Sequence, residues 1–504
     1  MAFDRIVRIP FTAFTLALVV ALTGCADEEA PLTPAPLDAD FVGYSNPQTR
    51  QTTCGNCHIS KQRAWAQTAH AGAWSSLEDS GEMQPFCARC HTTNGFANTA
   101  NDSAGYFAVS ADAQQFYRDV QCESCHGPGA GHIAAPDDAQ PLSTIAADTG
   151  ATIGCATCHS GTHQPFVEEW RASAHGSYYA GAAGNTTSSA GCPNCHEGRA
   201  ALRRFDPDAK FVEQGSATLQ PITCAVCHDP HGGPNSRQLR KPIDVADVSE
   251  NLCMNCHQRR SVPDPASSSG AHSPQGPMLT GEAGWIPPNF AYDATRAASS
   301  HGSDANPRLC AGCHVERFTV TDAATGAFIV QSTGHSFRAI ACVDANGQPT
   351  GAADCPDTER RFNACASGGC HATQNAARGA RQVLEGRLQS YANVLWRDKN
   401  GNGRLDPLPT DSGLLAQVRA TTPGDFSTTG TGATIVTVGE GTWFNTDMVI
   451  NGDGSHGVHN PFYAEALLLS STAALRAQYT YLPPPSVREQ LLTSERRRAL
   501  GMSR

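Results

Sequence analysis

The chain has 504 residues and a formal charge of −11, and it holds 21 cysteines and 19 histidines. The acidic balance excludes nucleic acid as a partner, and cysteine and histidine usage this high excludes an ordinary enzyme domain. With 47 Gly, 32 Pro and few long apolar runs, the chain needs something besides aliphatic side chains to fill a core.

The N-terminus is read first. Arg5 and Arg8 precede an apolar stretch from Ile9 to Leu22. It is too short to span a bilayer and its front is basic, so residues 1–24 read as an export signal. The stretch ends in LTGC, which resembles a bacterial lipobox, and Cys25 is the expected lipid anchor. Acyl chains would hold the protein at a membrane surface without crossing it. Ala26 is not the aspartate that retains lipoproteins at the inner membrane. The expected place is therefore the outer membrane, facing the periplasm or the cell surface. Residues 25–53, with APLTPAP, read as a flexible spacer.

From residue 54 one motif recurs. Cys-x-x-Cys-His occurs eight times, at Cys54/Cys57/His58, Cys87/Cys90/His91, Cys122/Cys125/His126, Cys155/Cys158/His159, Cys192/Cys195/His196, Cys224/Cys227/His228, Cys253/Cys256/His257 and Cys310/Cys313/His314. This is the attachment sequence of haem c. Two cysteines three apart can form thioethers with the two vinyl groups of one porphyrin, and the adjoining histidine then reaches the iron. Eight copies on an exported chain set aside the alternative of zinc half-sites. CASGGCH (365–371) holds Cys365, Cys370 and His371 at a wider spacing. A bulge allowed by its glycines would make it a ninth site, and a small disulfide loop is the competing reading, leaving eight haems. Cys342 and Cys355 are then left over and suit a disulfide in an oxidising compartment.

Ten histidines lie outside the motifs: His70, His132, His163, His175, His231, His272, His301, His335, His456 and His459. They are the candidates for the second axial position of nine irons, with His163 expected as the spare. Met83, Met254 and Met278 are less favoured ligands. If an iron is open, the irregular spacing places it at the eighth or ninth site.

The first cysteines of motifs one to three recur in motifs four to six at offsets of 101, 105 and 102. WAQTAHAGAW matches WRASAHGSYY, and CESCHGPGAGH matches CAVCHDPHGG, so a three-haem module looks duplicated. His70 then corresponds to His175, and His132 to His231. The expected parts are 54–145, a first three-haem module; 146–260, a second with the seventh site; 261–375, loop-rich with the eighth and ninth; and 376–504, a helical region. In this last part Leu384, Leu388, Tyr391 and Leu395 form one helical stripe. ATIVTV and WFNTDMVI read as a hairpin, and PFYAEALLLSSTAALRAQY as a helix entered at His459. DKNGNGRLD matches part of a calcium loop, with Asp398, Asn400, Asn402, the Arg404 carbonyl and Asp406 as candidate ligands. Pro409 stands where the loop's glutamate belongs, and Asp411 is its candidate substitute.

CHGPGAGH, NPRLCAGCH, TGHSF and GVHNPFYAEALL, with a tryptophan and then a histidine after a haem motif, resemble the bacterial multihaem c-type cytochromes over roughly 54–470. The likeness is to the cytochrome c554-like proteins and the group related to nitrite reductase and hydroxylamine oxidoreductase. It implies a mainly α fold with much irregular loop, short helices and a haem-packed core. Three functions are compatible with it: a membrane-anchored electron carrier, an oxidoreductase acting on nitrite, hydroxylamine or another small oxyanion, and a subunit of an extracellular filament. The carrier is preferred. The Cys-x-x-Cys-Lys motif common at the open haem of nitrite reductases is absent, and the histidine supply matches the irons. The implied partners are other redox proteins: cytochromes, a quinol-linked donor, or an outer-membrane porin–cytochrome assembly.

Overall fold

The computed structural model describes residues 40–94, 105–147, 154–177, 191–267, 269–288, 290–295, 297, 299–367, 370–426 and 435–502. The export signal, Cys25 and most of the spacer lie outside these residues. The chain forms two units, residues 1–143 and 144–504.

In residues 1–143 a short antiparallel pair, β1 (Tyr44–Asn46) and β2 (Gln51–Thr52), precedes helices α1 (Ile59–Trp65) and α2 (Ala73–Ser80). Buried carboxylates replace regular structure as the ties. Asp119 accepts from the Tyr44 hydroxyl and the Trp74 amide, both at 2.8 Å. Glu123 accepts from the Val42, Gly43 and Gly129 amides. A buried carboxylate that accepts several N–H bonds keeps its charge at tolerable cost.

Residues 144–504 begin with α3 (Phe166–Arg171) and α4 (Gly198–Phe205). A hairpin of β3 (Phe318–Thr321) and β4 (Phe328–Ser332) follows. The C-terminal part consists of α5 (Gln374–Leu395), α6 (Leu414–Thr421), α7 (Val438–Asp447), α8 (Pro461–Gln478) and α9 (Val487–Ala499). Leu384, Leu388, Tyr391 and Leu395 of α5 are buried in one large cluster with Leu467, Leu468 and Leu475 of α8. The apolar clusters around the first seven motifs are small by comparison. Few of the motif regions' own side chains pack into a core.

The expected hairpin over WFNTDMVI is a helix instead. Thr437 and Glu440 form a reciprocal capping box, Thr437 accepting from the Glu440 amide and Glu440 from the Thr437 amide, and this starts α7. The T-x-x-E spacing is the sequence signal for it. The β3–β4 hairpin was not anticipated, although FTVT and FIVQS around a glycine turn carry the alternation of paired strands.

The duplication appears as repeated contacts. The Trp65 indole donates to the Val120 carbonyl at 2.9 Å, and the Trp170 indole to the Ile222 carbonyl at 2.8 Å. Each carbonyl lies two residues before the third cysteine pair of its module. The Cys54 and Cys122 thiols are hydrogen-bonded, and so are their counterparts Cys155 and Cys224.

Candidate haem sites

Each ordinary motif is a single helical turn closed by its own backbone. The histidine amide bonds the carbonyl of the first cysteine at 3.0 Å in His58 and His126, 2.8 Å in His159, 3.0 Å in His196, 2.9 Å in His228 and 3.1 Å in His257. The turn brings both sulfurs and the imidazole toward one face. The wide motif closes the same way: the His371 amide bonds the Cys365 carbonyl at 3.2 Å across the two extra residues. Its cysteines are not bonded to each other, and all eighteen motif cysteines are free of disulfides. Cys342 and Cys355 form the disulfide.

A haem-packed core leads one to expect every attachment sulfur to be enclosed, and this expectation is corrected at three second cysteines. Cys57 and Cys125 are exposed, and Cys158 is only half-buried. The reason is that the first cysteine of each of these motifs faces a neighbouring site: Cys54 bonds Cys122, and Cys155 bonds Cys224. The second cysteine, three residues on, is offset around the turn by roughly 60° and stands at the rim. Cys90, Cys192 and Cys227 are likewise half-buried. A rim position leaves Cys57, Cys125 and Cys158 as attachment candidates, with one haem edge toward solvent.

Six motif histidines face a second histidine. The ring centres are 6.3 Å apart for His58 and His132, 6.1 Å for His257 and His175, and 5.8 Å for His196 and His272. They are 6.4 Å apart for His228 and His335, 6.3 Å for His314 and His459, and 6.4 Å for His371 and His301. Two imidazoles bound to opposite sides of one metal ion, each at ~2 Å with ~1.1 Å more to the ring centre, stand ~6.2 Å apart. The paired residues fit an iron held between them.

The second ring nitrogens are occupied as metal-bound histidines require. Nδ1 meets a backbone carbonyl in His91 (Ala73, 2.7 Å), His132 (Ala139, 2.8 Å), His228 (Arg237, 2.8 Å), His314 (Phe337, 2.9 Å) and His301 (Val458, 2.6 Å). This leaves Nε2 for the iron. Burial pushes down the proton affinity of His159, His228, His257, His272, His301, His314 and His335, and takes His175, beside His257 and His314, to about 4. A neutral imidazole is the form that ligates a metal. His459 goes the other way: burial pulls it down, but the Asp453 carboxylate outweighs burial and raises it.

Two supporting carboxylates were not evident in the sequence. Glu169 on α3 accepts from the Ser332 and Thr333 hydroxyls and from the Thr333 and His335 amides, at 2.7–2.9 Å, and so holds the His335 loop in place. Asp453 holds His459. An acidic residue shortly before a ligand candidate marks the second case; the first is separated from its loop by more than 160 residues.

Four candidate histidines stand outside these six pairs. His70 and His231 are half-buried, and His231 Nδ1 lies 3.4 Å from Asp229. His163 and His456 are exposed, and among the described residues neither faces a motif histidine. Leaving out these two, eight histidines remain for nine motifs. The expectation of an open iron at the eighth or ninth site is corrected: His459 and His301 fold back over both. The motif ring with no facing histidine among the described residues is His91. Its counterpart in the second module, His196, is faced by His272, which lies beyond that module and has no counterpart in residues 1–143. Met83 is exposed, and Met254 and Met278 are buried in apolar clusters.

The 398–406 turn is formed. Asp398 accepts from the Gly401 and Gly403 amides at 2.7 and 2.8 Å, and Asp406 from the Asn400 and Asn402 side chains at 2.9 and 2.8 Å. Asp411 does not replace the missing glutamate. It is buried and accepts from the Trp396 indole at 2.7 Å and the Asp406 amide at 2.9 Å.

Comparison with known proteins agrees with this arrangement. The family model for cytochrome c554 and c-prime matches residues 53–127, and that for cytochrome c3 matches residues 147–258. Multiheme cytochrome MtrA of Shewanella baltica (strain OS185) is 25% identical over 160 residues, 29% of this chain and 44% of that protein. The chain thus spans less than half the length of that relative. The crystal structure of outer cell wall cytochrome OcwA superposes with a TM-score of 0.52 at 17% identity, covering 86% of this chain and 99% of that one, a likeness of fold.

Proposed function

Since the chain is a bacterial multihaem c-type cytochrome, we propose that it carries nine haems c, most of them held between two histidines, as an exported, lipid-anchored electron carrier. The observation that carries this reading is the set of six histidine pairs at metal-spanning separation. Haem c, when bound, supplies a one-electron couple with no atom transfer. What the protein adds is saturation and closeness. A histidine on each side leaves no position for substrate and keeps the geometry nearly constant between oxidation states.

Closeness comes from the cysteines. The Cys195 and Cys256 thiols are hydrogen-bonded, and so are those of Cys253 and Cys310, while Cys313 neighbours Cys365 and Cys370. With the Cys155–Cys224 contact, these link the attachment sites of residues 144–504 side by side: fourth with sixth, fifth with seventh, seventh with eighth, eighth with ninth. Such an order serves conduction between redox partners. No helix of the described residues is long and apolar enough to cross a membrane, so attachment is assigned to a lipid on Cys25. Calcium at Asp398, Asn400, Asn402, Arg404 and Asp406 remains part of the proposal, without a bidentate glutamate and so weak.

Two measurements test this. A pyridine haemochrome assay is expected to return nine haems per chain, and Cys365→Ala with Cys370→Ala eight; a wild-type value of eight, unchanged in the variant, returns that motif to a thiol loop. Cys25→Ser is expected to move the protein from the detergent phase to the aqueous phase of a Triton X-114 partition. An unmoved variant overturns the lipid anchor.

One observation favours a second reading. Among the described residues no histidine faces His91, so the iron held by Cys87, Cys90 and His91 is the place where nitrite or hydroxylamine would bind if the protein is also an oxidoreductase.

A further inference from the structure

His459 differs from the other axial candidates in what holds its second nitrogen. Its Nδ1 lies 2.6 Å from Oδ1 of Asp453, whose side chain is 0% exposed. The other carboxylate oxygen accepts from the Ser455 hydroxyl. Among the described residues no lysine or arginine stands within ion-pair distance of Asp453. His301, His228 and the opposite ring, His314, rest on neutral backbone carbonyls. His231 also has a carboxylate beside it, but Asp229 is farther away at 3.4 Å, is partly exposed, and is shared with Arg240 at 3.5 Å.

We propose that Asp453 is a tuning residue: acting through His459, it makes the iron at Cys310, Cys313 and His314 the hardest to reduce in residues 144–504. The inference rests on the reading of His314 and His459 as an axial pair. A carboxylate that accepts the Nδ1 proton makes the imidazole a stronger donor to the metal. A ferric iron carries one more positive charge than a ferrous one, so a buried, uncompensated negative charge favours the oxidised state, and the low dielectric strengthens that preference. Ser455 moderates it by taking up part of the carboxylate's charge in a hydrogen bond. The site lies beside Cys253 on one side and Cys365 and Cys370 on the other. Asp453 therefore sets an energetic threshold between the seventh and ninth sites.

The test is a spectroelectrochemical titration of the haem-loaded full chain. Asp453→Asn is expected to raise the lowest midpoint potential by roughly a tenfold change in the oxidised-to-reduced ratio, ~59 mV for a one-electron couple, with the haem count and low-spin content unchanged. Asp453→Glu is expected to restore the low value. Ser455→Ala, which frees the carboxylate, is expected to lower it further, and it decides the matter if Asp453→Asn loads haem poorly. A lowest potential that moves in neither Asp453→Asn nor Ser455→Ala overturns the proposal. His459→Ala separates the two levels: it is expected to create one new high-spin haem, and its failure to do so would refute the axial pairing itself.

Discussion

One high-spin haem in nine is the expected result of low-temperature EPR on the oxidised, haem-loaded protein. Residues 1–143 contain five histidines, His58, His70, His91, His126 and His132, for three irons that would need six. His132 is committed to His58 at 6.3 Å. His91 has its Nδ1 on the Ala73 carbonyl and, among the described residues, no histidine across from it. About one-ninth of the iron should therefore be five-coordinate or water-ligated, and cyanide or nitrite should shift that signal alone. The second module supplies the comparison. His272 lies 5.8 Å from His196, and His272→Ala should roughly double the high-spin signal. A wild-type spectrum with no high-spin component would mean that another side chain caps the iron at Cys87 and Cys90. The second reading would then be lost and the carrier reading left alone.

The second large effect is on stability. Glu465 on α8 is fully buried between two arginines: Arg387 of α5, with Nε at 2.5 Å, and Arg496 of α9. Its carboxylate joins three helices of the C-terminal cluster. Removing one member of a buried ionic group leaves the others facing each other without compensation, at a cost of about 3–5 kcal/mol. Glu465→Ala should lower the denaturant midpoint of residues 144–504 by a correspondingly large amount. Glu465→Gln should lower it less, because the amide oxygen still accepts one hydrogen bond. Equal stability of the wild type and Glu465→Ala would show that the arginines are solvated rather than paired.

The attachment chemistry was legible in the sequence because it is local. Two cysteines and a histidine within one turn form a unit whose geometry is set by a bond between neighbours, as the His58 amide on the Cys54 carbonyl shows. How deeply each sulfur is buried was not legible: Cys57, Cys125 and Cys158 stand at the rim because their motifs' first cysteines face other sites. The stretched CASGGCH was legible for the same reason as the ordinary motifs, once two extra residues are allowed inside the closing bond. The helical stripe of α5 and the entry of α8 at Asn460 also follow from nearest-neighbour periodicity and capping. The internal duplication was visible in the spacing, and the Trp65 and Trp170 indole bonds repeat it in space.

The second axial positions are where the sequence by itself stopped. It showed that ten histidines were available; it could not pair them. His335 serves a ring 107 residues earlier, and His459 one 145 residues earlier. Equivalent histidines also do not hold equivalent places: His132 stays within its own module, whereas His175 reaches forward to His257 of the seventh motif. Spacing along the chain pointed to the eighth and ninth sites for an open iron, yet loops carrying His301 and His459 return over both. Which segment folds back over a given iron depends on the packing of distant elements, such as Glu169 holding the His335 loop and Asp453 holding His459. A bond within one turn is dictated by the residues in that turn. An imidazole delivered from a hundred residues away is placed by everything that packs between, and only the tertiary structure decides it.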